Sequence, residues 1–161
     1  KHYETGEVMP TTLVQKLEKS GKYGQGFATA EYWAAAWLDM EFHLLNELPE
    51  NLDVMAFEKQ IMEKIKMPKQ IAPRYRTTYF NHTMGGGYTA GYYSYLWAEV
   101  LDSDAYEAFK ETGDIFNKEV AAKFRKYVLT PGGIDDAMQM YINFRGKEPG
   151  IDPLLKNRGL K

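Results

Sequence analysis

Gly85-Gly86-Gly87-Tyr88-Thr89-Ala90-Gly91-Tyr92-Tyr93-Ser94-Tyr95-Leu96-Trp97-Ala98-Glu99-Val100 is the stretch on which the reading of this chain turns. Three consecutive glycines allow the backbone to enter positive φ and to approach a ligand closely, at an entropic cost on ordering. The residues that follow repeat at helical spacing. At about 100° per residue, Tyr88, Tyr92 and Tyr95 share one stripe with Glu99, while Tyr93, Leu96, Trp97 and Val100 point across the helix. The pattern predicts a helix that starts directly after the glycines, with one apolar face and one face of phenols. Such a stripe serves either as packing whose hydroxyls reach the surface or, with His82 just upstream, as one wall of a site.

Outward from this segment the chain reads as helices. Pro10-Thr11-Thr12 opens a helix carrying Leu13, Val14 and Leu17, which Gly21 and Gly24 break. From about Phe27 to Leu48, Trp33, Trp37, Met40 and Leu44 recur with helical spacing and predict a core helix, with Ala34-Ala35-Ala36 allowing a close neighbour. His43 within it fits a packed or surface residue better than a ligand. Asp53 is positioned to cap a third helix with the stripe Val54, Phe57, Ile61 and Ile65. Pro68 and Pro73 bracket an irregular stretch, Gln70 to Thr83, that runs into the glycines. A long irregular segment of this kind, rich in aromatics, is expected to be functional.

Downstream, helices are expected through Ala105–Lys110 with a stop at Gly113, over Asn117–Leu129, over Ala137–Phe144 with Asp135 as cap, and after Asp152-Pro153. No strand pattern and no internal repeat occurs. The fold class is therefore all-α, a multi-helix array, and the 161-residue length predicts a single helical domain over residues 1–161. The start at Lys1, without methionine and in polar sequence, suggests a piece of a longer chain.

Charge and composition narrow the functions. Twenty basic residues against 22 acidic ones leave a net charge of −2, which argues against nucleic acid and anionic membranes as partners. No apolar run approaches the roughly 20 residues that a membrane-spanning helix needs. The absence of cysteine removes thiolate chemistry. His2, His43 and His82 are far apart, no HExxH motif is present, no G-x-S-x-G anchors a nucleophile, and the glycines lack the Lys-Ser/Thr of a phosphate loop. A complete active site is not evident. Part of one is: tyrosine hydroxyls and a histidine can serve as preorganised donors toward charge developing on a substrate oxygen, and Arg74 and Arg76 either hold a carboxylate or, as is commoner for loop arginines, pair with local acids and solvent.

At this point a family resemblance enters. Phe80-Asn81-His82-Thr83-Met84 together with the Gly85–Val100 segment resembles the substrate-binding loop and helix of the zinc metallopeptidases typified by thimet oligopeptidase, oligopeptidase A and the bacterial peptidyl-dipeptidases. The likeness extends upstream to Gly24-Gln25-Gly26-Phe27-Ala28-Thr29-Ala30-Glu31-Tyr32 and Leu38-Asp39-Met40. Downstream, Phe144-Arg145-Gly146-Lys147-Glu148-Pro149 and Leu154-Leu155-Lys156-Asn157-Arg158-Gly159-Leu160 resemble the family's C-terminal end, which implies a C-terminal fragment of a longer peptidase chain.

What the resemblance implies is specific. The family fold is an almost all-helical body split by a channel that admits short peptides. Its zinc is held by the histidines of an HExxH helix and a glutamate from a following helix, none of which is in this chain. Zinc is thus expected in the full-length parent, bound by an upstream part of the same chain, with no metal ligand and no cofactor in this fragment. Carried over by position, Tyr88 and Tyr95 would stabilise the transition state, and His82, Tyr92 and the Gly85, Gly86 and Gly87 loop would bind substrate. The implied activity is release of C-terminal dipeptides from short peptides, with the fragment alone inactive. An endo-acting oligopeptidase and a non-catalytic helical module that binds a peptide or partner helix remain as alternatives. A cytoplasmic location is expected, with a periplasmic or envelope one also open.

Overall fold

In the computed structural model, which describes residues 1–161, the chain forms eight α-helices and no strand: α1 Thr11–Gly21, α2 Gln25–His43, α3 Val54–Lys64, α4 Asn81–Met84, α5 Ser94–Lys110, α6 Lys118–Phe124, α7 Ala137–Arg145 and α8 Asp152–Asn157. A short 3₁₀ turn, Thr77–Tyr79, precedes α4, and a π turn, Arg125–Leu129, extends α6. The chain is all-α, in agreement with the periodicities. Its contacts gather into two compact units, Lys1–Tyr95 and Leu96–Lys161, so that their boundary falls inside α5.

In the Lys1–Tyr95 unit the central element is α2, which buries Ala34, Ala35, Ala36, Leu38 and Asp39. Its small side chains and one carboxylate, rather than its tryptophans, make the inward face. The core stripe expected at Trp33, Trp37, Met40 and Leu44 is therefore corrected: Trp33, Trp37 and Leu44 are exposed. Positions 34/38 and 35/39 are the i, i+4 pairs that face inward. The tryptophans lie against each other one helical turn apart, with ring centroids 5.2 Å apart, and Trp37 Nε1 donates to Glu41. The helix ends at His43, five residues before Leu48.

Helix α3 starts at the expected cap, where one oxygen of Asp53 accepts from the backbone N–H groups of Met55 and Ala56. It packs on α2 through Phe42 and Phe57, edge to face at 4.7 Å. From its buried face Glu58 takes the N–H and the hydroxyl of Thr77, each at 2.9 Å, and pairs with Arg76. This buried carboxylate pins the start of the irregular segment. Farther along, Phe80 is fully packed between Tyr75, stacked at 5.0 Å, and the edge of Tyr92 at 5.1 Å.

The expected helix start after Gly87 is also corrected, because α5 begins only at Ser94. Residues 88–93 form consecutive turns, with Gly91 N–H donating to Tyr88 O and Ser94 N–H to Gly91 O. The cause lies at Ala90, whose φ of +52° is left-handed and incompatible with helix. The N–H groups of Ala90 and Tyr92 bond to the Asp39 carboxylate instead of to preceding carbonyls.

In the Leu96–Lys161 unit, Asn117 caps α6 through the N–H groups of Glu119 and Val120. The helix expected through Leu129 widens at Arg125 into the π turn, whose Thr130 N–H reaches back five residues to Arg125 O. The cap of α7 is Asp136, which accepts from Gln139 N–H, rather than Asp135. Phe144 of α7 packs edge-on to Phe124 at 5.2 Å. Asp104 on α5 is buried, and it receives the Tyr141 hydroxyl at 2.7 Å and Arg145 Nε at 3.1 Å. Arg145 then forks onto Glu111 with bonds of 2.7 and 2.6 Å. At the C-terminal end, Arg158 pairs with Glu99 and Asn157 donates to Ser103.

Candidate functional site

The site assembles from three adjacent pieces of the Lys1–Tyr95 unit: α4, the glycine turn, and the turns that lead into α5. His82 projects from α4, a single helical turn fixed beneath by buried Phe80 and Thr83. The glycines then reverse the chain. At Gly86 a Cβ would stand 2.7 Å from the His82 carbonyl oxygen and 3.0 Å from that of Asn81, so only glycine lets the backbone pass so close to α4. At Gly87 φ is +82°, a left-handed turn.

This reversal brings the tyrosines back over the histidine. The His82 ring lies 4.6 Å from Tyr88, 5.5 Å from Tyr92 and 5.7 Å from Tyr95, centroid to centroid. Tyr88 and Tyr95 stack at 6.0 Å, and Tyr92 meets the edge of Tyr95 at 5.6 Å. His82 Nε2 and the Tyr95 hydroxyl are hydrogen-bonded at 3.1 Å. The predicted tyrosine stripe and His82 thus form one cluster, reached through turns rather than through a helix face.

Within the cluster the phenols differ in environment. Tyr92 is buried, wedged between Tyr32, Tyr75 and Phe80. Burial pushes its pKa up to about 12, an effect the nearby Arg74 charge opposes and neighbouring phenols reinforce. Tyr88 and Tyr95 are 49% and 38% exposed, enough to meet a ligand. The Tyr95 pKa is also raised, by desolvation first and by the Tyr88 hydroxyl next. The Tyr95 hydroxyl therefore keeps its proton at physiological pH, and a phenol is a donor that can polarise a carbonyl.

The two arginines sit elsewhere. Arg76 is engaged by Glu58, and Arg74 lies over the ring of Tyr32 at 5.1 Å and that of Tyr75 at 5.8 Å. Arg74 reaches the cluster through its charge on Tyr92, whereas Arg76 is held within the scaffold. The residue that composition and spacing did not single out is Asp39. It has no solvent exposure, and its Oδ1 and Oδ2 accept from Ala90 N–H at 3.1 Å and Tyr92 N–H at 3.0 Å. His43 Nδ1 lies 2.9 Å from Asp39 Oδ1 and 2.8 Å from the Asp39 carbonyl oxygen, two acceptors that place a proton on Nδ1. The Asp39/His43 spacing of i, i+4 on a helix is the only local sign of this pair.

No three histidine, aspartate or glutamate side chains converge as a metal-binding group. His82 is engaged by the phenols and His43 by Asp39. A concavity of about 410 Å³ lies within the Leu96–Lys161 unit among Trp97, Leu101, Phe124, Met140 and Tyr141 and is overwhelmingly apolar. It offers packing surface rather than reactive groups.

Known proteins resemble this chain over almost its whole length. The chain is 41% identical over 162 residues to the dipeptidyl carboxypeptidase of Escherichia coli (strain K12), covering 99% of this chain and 24% of that protein. It is 37% identical over 169 residues to oligopeptidase A of Salmonella typhimurium (99% and 23%), and 32% identical over 163 residues to saccharolysin of Saccharomyces cerevisiae (99% and 22%). The chain thus spans about a quarter of the length of the curated relatives it matches. The model of peptidase family M3 matches residues 1–160, and the chain belongs to that family.

Proposed function

We propose that this chain forms the substrate-binding side of a peptidase active site that the longer protein completes. The observation that carries the reading is the His82–Tyr88–Tyr92–Tyr95 cluster on a glycine reversal, with two phenols exposed and one hydrogen-bonded to the histidine. In peptide hydrolysis negative charge develops on the scissile carbonyl oxygen, and neutral phenols at fixed positions stabilise it without reorganisation. Tyr95 is suited to this because His82 orients its hydroxyl and its raised pKa keeps the proton. Tyr88, stacked beside it, supplies a second donor.

Tyr92, buried, anchors the loop from below and serves substrate binding by supporting the exposed phenols, and His82 offers its ring to the peptide backbone. Gly85, Gly86 and Gly87 leave room for the substrate chain to run close to the protein backbone. Arg74, whose charge acts on Tyr92, suits a peptide carboxylate, in keeping with release of C-terminal dipeptides. Zinc belongs to the part of the longer protein outside this chain, and peptides are the substrates. No helix here is long and apolar enough to cross a membrane, and a cytoplasmic location is the working assignment.

The test compares the 161-residue chain with the longer protein. Short peptides blocked at the N-terminus are offered to both, products are identified by mass, and bound zinc is counted. The proposal expects hydrolysis and stoichiometric zinc from the longer protein only, with dipeptides as the released product. Stoichiometric zinc and hydrolysis by the 161-residue chain alone would overturn it. Cleavage at internal bonds without dipeptide release would replace the dipeptidase assignment by an endo-acting one.

A further inference from the structure

Asp39 stands apart from every other acid in its unit. It lies on the buried face of α2 with no exposure, and its two oxygens receive the N–H groups of Ala90 and Tyr92, residues 51 and 53 positions further along the chain. A carboxylate without water is stable only when its lone pairs are met. Here they are met by two backbone amides and by His43 Nδ1. The amides converge because Ala90 holds φ at +52°, a conformation that a residue with a Cβ keeps only when its surroundings enforce it. Paired N–H groups turned toward one anion are the backbone nest familiar from anion sites, and a protein carboxylate occupies it.

The position of this nest gives it a consequence. Ala90 and Tyr92 separate the two exposed phenols, Tyr88 two residues before and Tyr95 three residues after. The other buried acid of the unit, Glu58, binds Thr77 and Arg76 and pins the chain upstream of His82. Two buried carboxylates therefore hold the two ends of the cluster's scaffold, and Asp39 holds the end that carries the phenols. We infer that Asp39 is a positioning residue: by fixing the Ala90–Tyr92 turn from α2, it sets where the Tyr88 and Tyr95 hydroxyls stand relative to His82 and the substrate. This rests on the role proposed above for those phenols. Asp39 itself is sealed from substrate and acts only through the turn.

The decisive variant is Asp39→Asn in the longer protein, which keeps the volume but turns an amide NH₂ toward one of the two backbone donors. Amide hydrogen exchange is read residue by residue beside kcat and KM. The amides of Ala90 and Tyr92 are expected to exchange at least about tenfold faster while α3 is unaltered. The value of kcat is expected to fall about 10- to 100-fold, as for a misplacement on the ångström scale, with KM within about threefold. In a Tyr95→Phe background the same change should cost less than about threefold more, because both act through one group. Ile61→Val, a core control in α3, should keep kcat.

Unchanged protection of the Ala90 and Tyr92 amides overturns the inference, as does a double variant whose loss equals the product of the single losses. Loss of kcat in Ile61→Val on the same scale overturns it too, by showing that general destabilisation suffices. Should Asp39→Asn not fold, exchange in the unaltered protein decides: Ala90 and Tyr92 amides slower than that of Gly87 support the clamp, and equal rates overturn it. A Tyr95→Phe variant with full kcat removes the reading beneath the inference, and is told apart from failure of the clamp itself by the exchange rates.

Discussion

Arg145 shows how single side chains hold the Leu96–Lys161 unit together. Its side chain is 7% exposed, bonded through Nε to the buried Asp104 and through both terminal nitrogens to Glu111. Breaking a buried pair from one side leaves the other charge without its partner, which costs about 3–5 kcal/mol. Arg145→Met is expected to destabilise the protein on that scale, softened because the Tyr141 hydroxyl stays on Asp104; chemical denaturation measures it. Glu111 adds a pH signature. Its pKa is held below the ordinary value of 4.5, first by the bond to Arg145. A depressed carboxylate contributes stability that is present above its unfolded pKa and is lost as pH falls through the folded one. The unaltered protein should therefore lose this contribution on acidification below that ordinary value, and Arg145→Met should flatten that limb. A variant with unchanged stability and an unchanged acid profile would show that the fork on Glu111 carries nothing.

At the scale of elements, what is local was legible and what is non-local was not. Asp53 could be read as a cap because a cap is a side chain bonding its own next turn. The helical class followed from apolar spacing and from glycine and proline stops. The tyrosine segment was misread as helix because Tyr88, Tyr92 and Tyr95 have helical spacing, whereas Ala90 turns left-handed and its amide is taken by a carboxylate on α2. Nothing near Ala90 in the chain announces Asp39. The phenols nevertheless converge on His82, since the glycine reversal and two successive turns bring the same residues together by another route. On α2, the assignment of Trp33 and Trp37 to the core failed for a related reason. Periodicity identifies an apolar stripe, but the partner that covers it is a property of the tertiary fold, and within this chain alanines and Leu38 face inward instead. Of the two arginines, the tie of Arg76 to Glu58 lies 18 residues apart and was invisible to spacing.

At the scale of the whole molecule, the apolar side chains left uncovered are unusual in number and placement. Leu13, Val14 and Leu17 of α1 are exposed, as are Phe27, Trp33, Trp37 and Leu44 along α2 and Trp97 on α5. No residue of α1 is buried at all. Apolar side chains left exposed along α1 and α2 mark faces that associate, and a chain matching a quarter of its relatives' length leaves three quarters of such proteins to supply covers. The 161-residue chain by itself is expected to self-associate as concentration rises, visible as an increase in sedimentation coefficient. A monomer mass independent of concentration would show that these faces are tolerated in water.

The central claim is that two phenols, held over His82, are working parts of a peptidase site, and kcat for hydrolysis of a short peptide by the longer protein tests it directly. Tyr95→Phe removes one hydroxyl and nothing else, and Tyr93→Phe makes the same change at an exposed ring for which no contact within the cluster is seen. Loss of a single oxyanion donor typically lowers kcat about 10²–10³-fold. The account predicts a fall of that order for Tyr95→Phe and wild-type kcat for Tyr93→Phe; equal kcat in both variants and the unaltered protein would contradict it.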